Sequence, residues 1–284
     1  MNRILKILPV LLLTVSLSAR PAFAQSESDP ASSEEENGIR LIADGFRYEG
    51  EVFVRDDAAY VSLREFACMA DNSVVKWEEE EETARVTTDS LTLTASPALD
   101  YLEANGRILW CPTGVFEEGG TLYVPLQQTA QAFGFDAHYS EEEDTTYLTR
   151  LRGAIEPAGD YYDPDELYWL SKIIHAEAEG EPFLGKLAVG TVIRNRVDSE
   201  EFPDTIYEVI FDRENGTQFT PTANGAIEKE PGKESVLAAK ICLENVRLSE
   251  EILYFLNVRL AASFWIVQNC TYIMTVGEHD FYAP

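Results

Sequence analysis

Apolar positions recur with two different periods along this chain. Between residues 39 and 150 they come in short alternating runs separated by turn residues, the pattern of strands with one or two helices. From 160 to 284 they recur mostly at helical spacing. In "ELYWLSKIIHAEAEGEP" (166–182), Leu170, Ile173, Ile174 and Glu177 fall at i, i+3, i+4 and i+7. They share one helix face, so a carboxylic acid continues a stripe that packs a core. Asp163 is placed to cap this helix, Pro164 to open it and Glu166 to complete a capping box. Gly180 and Pro182 end it. "FLGKLAVGTVIRNRV" (183–197) is apolar or small nearly all round and predicts a buried helix. A shorter helix is expected over 204–211 and a long one over 233–246. Residues 271–282 alternate as a strand pair or extended tail.

The first region contains a weak repeat. "YVSLREFACMADNSVVKWEEEEETARVTT" (60–88) matches "YVPLQQTAQAFGFDAHYSEEEDTTYLT" (123–149), with Val61 and Leu63 aligned on Val124 and Leu126. Each copy predicts a strand, a helix (63–69; 126–133), a strand to an aromatic, a Glu-rich turn and another strand. The alternating stretch between the copies carries an Asn105-Gly106 hairpin turn. Residues 151–165, with Gly153, Pro157, Gly159 and Pro164, read as a linker. The expected class is therefore α+β, a small-strand and helix repeat domain (39–150) followed by a mostly helical domain (160–284).

The amino terminus departs from both patterns. Basic Arg3 and Lys6, an apolar run from Ile7 to Leu17 and Ala22-Phe23-Ala24 compose a secretory signal peptide, with cleavage expected after Ala24. The run is too short to span a bilayer. Residues 25–38 read as a disordered tether. A secreted, wall-associated bacterial protein is the expectation. The net charge of −28 argues against nucleic acid or anionic membranes as partners. Cys68, Cys111, Cys242 and Cys270 permit either two disulfides or four separate thiols. No C-x-x-C is present, and three histidines make a metal site improbable, so no cofactor is expected.

Glu177 is the residue with chemistry to offer. Burial along the stripe disfavours its charged form, and so does the negative end of the helix dipole. Both raise its pKa, toward an acid still protonated near neutrality and able to deliver a proton to a leaving oxygen. A solvated glutamate at a frayed helix end, beside Glu179 and Glu181, is the alternative.

Ordered blocks then supply a resemblance. "IIHAEAEGEPFLGKLAVGTVIRNRV", "FPDTIYEVIF", "GTQFTPTANGAI", "LYFLN", "SFWIV" and "YIMTVGEHDFYAP" together resemble the SleB-type cell-wall hydrolases, the spore cortex-lytic enzyme family. The resemblance implies a lysozyme-like fold and a lytic transglycosylase that cleaves the glycan strand of peptidoglycan with one glutamate, here Glu177. It further implies a cleft lined by Gln218 and Phe219, the alternative being an ordinary loop with Phe219 as its hydrophobic anchor, and Tyr254 and Asn257 bonding acetamido or hydroxyl groups. Trp265 offers a flat face to a sugar or sits in the core; His279 orients a polar partner or is structural. Three positions depart from the family pattern: Glu179 stands for arginine, Cys270-Thr271 for Arg-Pro, and Glu278 for asparagine. The earlier repeat resembles the copper amine oxidase N-terminal-like domain, which implies a spacer or wall-binding module. Two rival readings stay open, a non-catalytic wall-binding protein and a hydrolase with a second carboxylate.

Overall fold

The computed structural model describes residues 40–70, 72–214, 216–259 and 264–284. The expected signal segment and tether lie outside the described residues.

The first domain runs β1 (Arg40–Ala43), β2 (Phe46–Arg47), β3 (Val52–Arg55), β4 (Ala58–Ser62), α1 (Leu63–Ala67), β5 (Val74–Glu78) and β6 (Thr83–Thr87). It continues with β7 (Thr92–Ala95), β8 (Tyr101–Ala104), β9 (Arg107–Trp110), β10 (Phe116–Glu118), β11 (Thr121–Pro125), α2 (Leu126–Ala132), β12 (Phe135–Ser140) and β13 (Thr145–Arg150). The repeat is a structural one: β4–α1–β5–β6 and β11–α2–β12–β13 have the same order. The copies meet at their equivalent strands, where β4 and β11 pair antiparallel with Val61 opposite Val124. The intervening alternating stretch completes a meander, β5-β6-β7-β8-β9. Its last hairpin turns at Asn105 (φ 50°) and Gly106 (φ 80°), the pair of left-handed residues that a tight two-residue hairpin turn needs. A parallel pairing of β1 with β13 closes the domain on itself.

The second domain contains α3 (Ala158–Tyr161), α4 (Pro164–Ala178), α5 (Phe183–Asp198), α6 (Ile206–Phe211), α7 (Pro221–Asn224) and α8 (Lys233–Leu243). After these come β14 (Tyr254–Leu256), α9 (Trp265–Asn269), β15 (Thr271–Val276) and β16 (His279–Ala283). The last three strands form a sheet of order β14-β16-β15. Helix α5 lies at the centre, with Leu187, Ala188, Val189, Val192 and Ile193 all fully buried. That is why its sequence shows no polar face. At Gly190 the neighbouring helices come so close that a Cβ would lie 2.6 Å from Cys242 Sγ and 2.9 Å from Ile174 Cδ1. Among the described residues no helix is long and apolar enough to cross a membrane.

The segment between the domains is packed at both ends. Ile155 is buried in the first core and Tyr162 in the second. Strand β9 serves both domains, because alternate side chains point opposite ways. Leu109 packs in the first core and Ile108 in the second. Arg107, one residue earlier, crosses to α8. Its Nε donates to Glu244 at 2.8 Å, and both side chains are 3% exposed. Tyr162 donates its hydroxyl to the same carboxylate at 2.6 Å, and Lys240 Nζ donates to the Gly106 carbonyl at 3.1 Å. The guanidinium of Arg107 lies over the Tyr161 ring, 3.2 Å from its centroid. All four cysteines are free thiols, which decides between the two expectations held for them.

Candidate active site

Helix α4 starts where expected. The Asp163 side chain accepts the backbone N–H of Asp165 at 2.9 Å and of Glu166 at 3.1 Å, and Pro164 occupies the first turn. Leu170, Ile173 and Ile174 are fully buried. Glu177, next on their stripe, is half-buried. Among the described residues nothing hydrogen-bonds or pairs with its carboxyl group. Burial pushes it up from the ordinary 4.5 to about 7. Near neutrality it therefore exists as a mixture of acid and carboxylate, able to give a proton and to take one back.

The two glutamates that follow have other employment. Glu179, more than half exposed, pairs with Lys229 at 3.3 Å and approaches His175 Nε2 at 3.9 Å. The other face of His175 lies against the start of α8, its Nδ1 3.4 Å from Gly232 N and Ser235 Oγ. It takes no part beside Glu177. Glu181 is nearly buried. Its Oε2 accepts the backbone N–H of Glu278 at 2.9 Å, and its Oε1 lies 3.5 Å from His279 Nδ1. The approach depends on Gly277, at φ +62°, where an added Cβ would sit 1.8 Å from Glu181 Oε2. Glu278, in the family's asparagine position, accepts from Asn257 Nδ2 at 3.1 Å, while Asn257 Oδ1 accepts the Arg259 N–H at 3.0 Å. The β15–β16 turn thus gathers Glu181, Asn257 and His279 into one cluster just beyond the end of α4. His279 also meets the Phe255 ring edge-on at 5.4 Å.

A second group gathers around Arg196, a residue for which sequence reading made no provision. Arg196 is 5% exposed. Its Nε donates to the Leu253 carbonyl at 2.8 Å and its guanidinium reaches Gln218 Oε1 at 3.4 Å. The rings of Phe202, Phe219 and Tyr254 surround it, with centroids at 4.7, 5.2 and 5.5 Å. Burial pushes its pKa down to about 10. The one available signal was the polar run Arg194-Asn195-Arg196 inside the mostly apolar or small "FLGKLAVGTVIRNRV". Gln218 and Tyr254 are both half-buried, with an edge open to solvent. Trp265 is 56% exposed and meets Tyr254 edge-on at 6.3 Å, so it is no core tryptophan. Phe219 corrects the expectation of a cleft lining. It is 2% exposed and packs on Phe255, which makes it the anchor of its loop and leaves no face for a ligand. Concavities of about 470 and 610 Å³ lie on the first domain and hold none of these residues.

Comparison with known proteins agrees with both domain readings. Residues 180–282 match the family model described as cell wall hydrolase, and residues 43–148 match the copper amine oxidase N-terminal domain. A spore cortex-lytic enzyme of Oceanobacillus iheyensis is 34% identical over 120 residues, 42% of this chain and 42% of the relative. One from Bacillus subtilis is 31% identical over 143 residues, 49% of this chain and 45% of the relative. The solved catalytic domain of the germination-specific lytic transglycosylase SleB from Bacillus anthracis is 30% identical. It matches 45% of this chain and 99% of its own, with a TM-score of 0.39. This chain spans about half the length of the curated relatives it matches. Glu177 lies just ahead of the segment matched by the family model, so its assignment rests on its own setting.

Proposed function

We propose that this chain, whose C-terminal domain is a cell wall hydrolase domain joined to a copper amine oxidase N-terminal domain, is an exported bacterial enzyme that cleaves peptidoglycan glycan strands. Glu177 is the catalytic acid and base. Its protonated carboxyl group delivers a proton to the oxygen linking N-acetylmuramic acid to N-acetylglucosamine as the bond from the anomeric carbon breaks. The 6-hydroxyl of the same muramic residue closes onto that carbon and returns its proton to Glu177. One C–O bond breaks, one forms, and no water is consumed. The product is a 1,6-anhydro sugar. The observation that carries this reading is the half-buried Glu177 carboxyl group, without a partner among the described residues and with its pKa pushed up to about 7.

The hydrolytic alternative needs a second carboxylate across the bond. Glu179 and Glu181 are the nearest in sequence, but Lys229 pairs with the first and the Glu278 N–H already holds Oε2 of the second. Two of the three departures that favoured a non-catalytic binding protein, Glu179 and Glu278, have local accommodation. Glu179 faces Lys229 and Glu278 holds Asn257. Incubating the whole chain with purified peptidoglycan, with and without Glu177→Gln, tests the proposal by mass spectrometry of released fragments. Anhydro ends that vanish in the variant support it. Reducing ends support hydrolysis, and binding without release supports a passive wall protein.

A further inference from the structure

We infer that Arg196 is the positioning residue of the glycan-binding wall, an inference that rests on the reading of this domain as a peptidoglycan enzyme. A guanidinium that is 95% buried ordinarily has a carboxylate partner, because an unpaired buried charge costs several kcal/mol. Among the described residues Arg196 has none within ion-pair distance. What it has instead is a set of contacts to three separate segments. Nε holds the carbonyl of Leu253, the residue before Tyr254 and β14. The other end of the fork reaches the Gln218 amide oxygen. The planar group sits among the rings of Phe202, Phe219 and Tyr254, whose faces attract a cation.

The consequence for a ligand is directional. With its oxygen turned to Arg196, the Gln218 amide has its NH₂ end left to donate outward. Tyr254 is held by its own ring and by the preceding carbonyl, and its neighbour Trp265 stands exposed. A donor, a phenol and a flat indole so arranged suit the acetamido oxygen, hydroxyls and ring face of an N-acetylated sugar. Arg196 touches no substrate itself. It fixes the rotamers of the groups that do. Lysine keeps the charge but loses the fork, so it cannot hold Leu253 and Gln218 together.

The test compares the whole chain with Arg196→Lys, Gln218→Ala and the double variant on soluble glycan fragments. Each single change raises KM about tenfold with kcat within about twofold, and the double raises KM about tenfold as well, because both remove one unit. Multiplying effects, an unchanged KM in Arg196→Lys, or a fall in kcat at constant KM would overturn the inference. Gln218→Ala removes a partly exposed side chain, so it folds regardless. An unchanged KM in that variant alone also overturns it. The same changes in the Glu177→Gln background are scored by co-sedimentation with peptidoglycan. Should the parent release no fragments, the proposed activity fails, while about tenfold weaker sedimentation still upholds Arg196.

Discussion

Arg107 and Glu244, 137 residues apart, form a two-pronged ion pair in which neither side chain is more than 3% exposed. It is the centre of the contact between the domains. Removing one partner strands the other in a low-dielectric site. Arg107→Ala should therefore lower unfolding stability by about 3–5 kcal/mol, and replacing both by apolar residues of similar volume should recover most of it. Urea unfolding decides this. A single-variant loss below about 1 kcal/mol would mean that the interface is looser than described.

Glu177 gives a stability signature separate from catalysis. Its carboxyl group sits at about 7 in the folded chain against 4.5 ordinarily. Between these values the folded state holds a proton that the unfolded state has lost, so stability falls as pH rises through that window. Glu177→Gln should be neutral at pH 4 and more stable than the parent at pH 8, by roughly 3 kcal/mol at most. Equal melting curves at both pH values would remove the basis for Glu177 as the acid. The same titration predicts that kcat declines above about pH 7, as the proton donor is lost.

Gly277→Ala should disable the cluster beyond α4. The residue is at φ +62°, and its new methyl group would overlap Glu181 Oε2. Glu181 must then swing away, releasing the Glu278 N–H and His279. We expect a loss of about 1–3 kcal/mol in stability together with reduced activity. Full activity in this variant would show that the cluster is dispensable.

The thiols should react in order of exposure. Cys68 is exposed and Cys270 half-buried, while burial pushes Cys111 and Cys242 to about 12. A thiol reagent should label Cys68 first in the native protein and all four after denaturation without reductant. Two missing thiols in the denatured sample would establish a disulfide.

Features governed by neighbours in sequence were legible in advance. Helix periodicity singled out Glu177 because its stripe-mates lie within two turns. The Asn105-Gly106 turn and the doubled unit around Val61 and Val124 were equally local. Contacts that join distant segments left no such trace. Glu181 and Glu278 lie 97 residues apart, and although Glu278 stood out as a departure from the family pattern, nothing in the sequence joined it to Glu181. Arg196 was hidden by its surroundings, since a helix apolar on every side invites the assumption that its arginines reach solvent. Phe219 had two readings, a cleft lining and the hydrophobic anchor of its loop, and only its contact with the distant Phe255 selects the second.

The parallel ladder between β1 and β13 has a mechanical meaning. The chain enters β1 at one end of that ladder and leaves β13 at the other, with Arg40 beside Thr145 and Ala43 beside Leu148. Tension applied between Arg40 and the second domain pulls the two strands past one another along their length. All the rungs must then yield together, whereas a perpendicular pull would peel them one at a time. Loaded between Arg40 and its second domain, the chain would be strongest along the line of that pull.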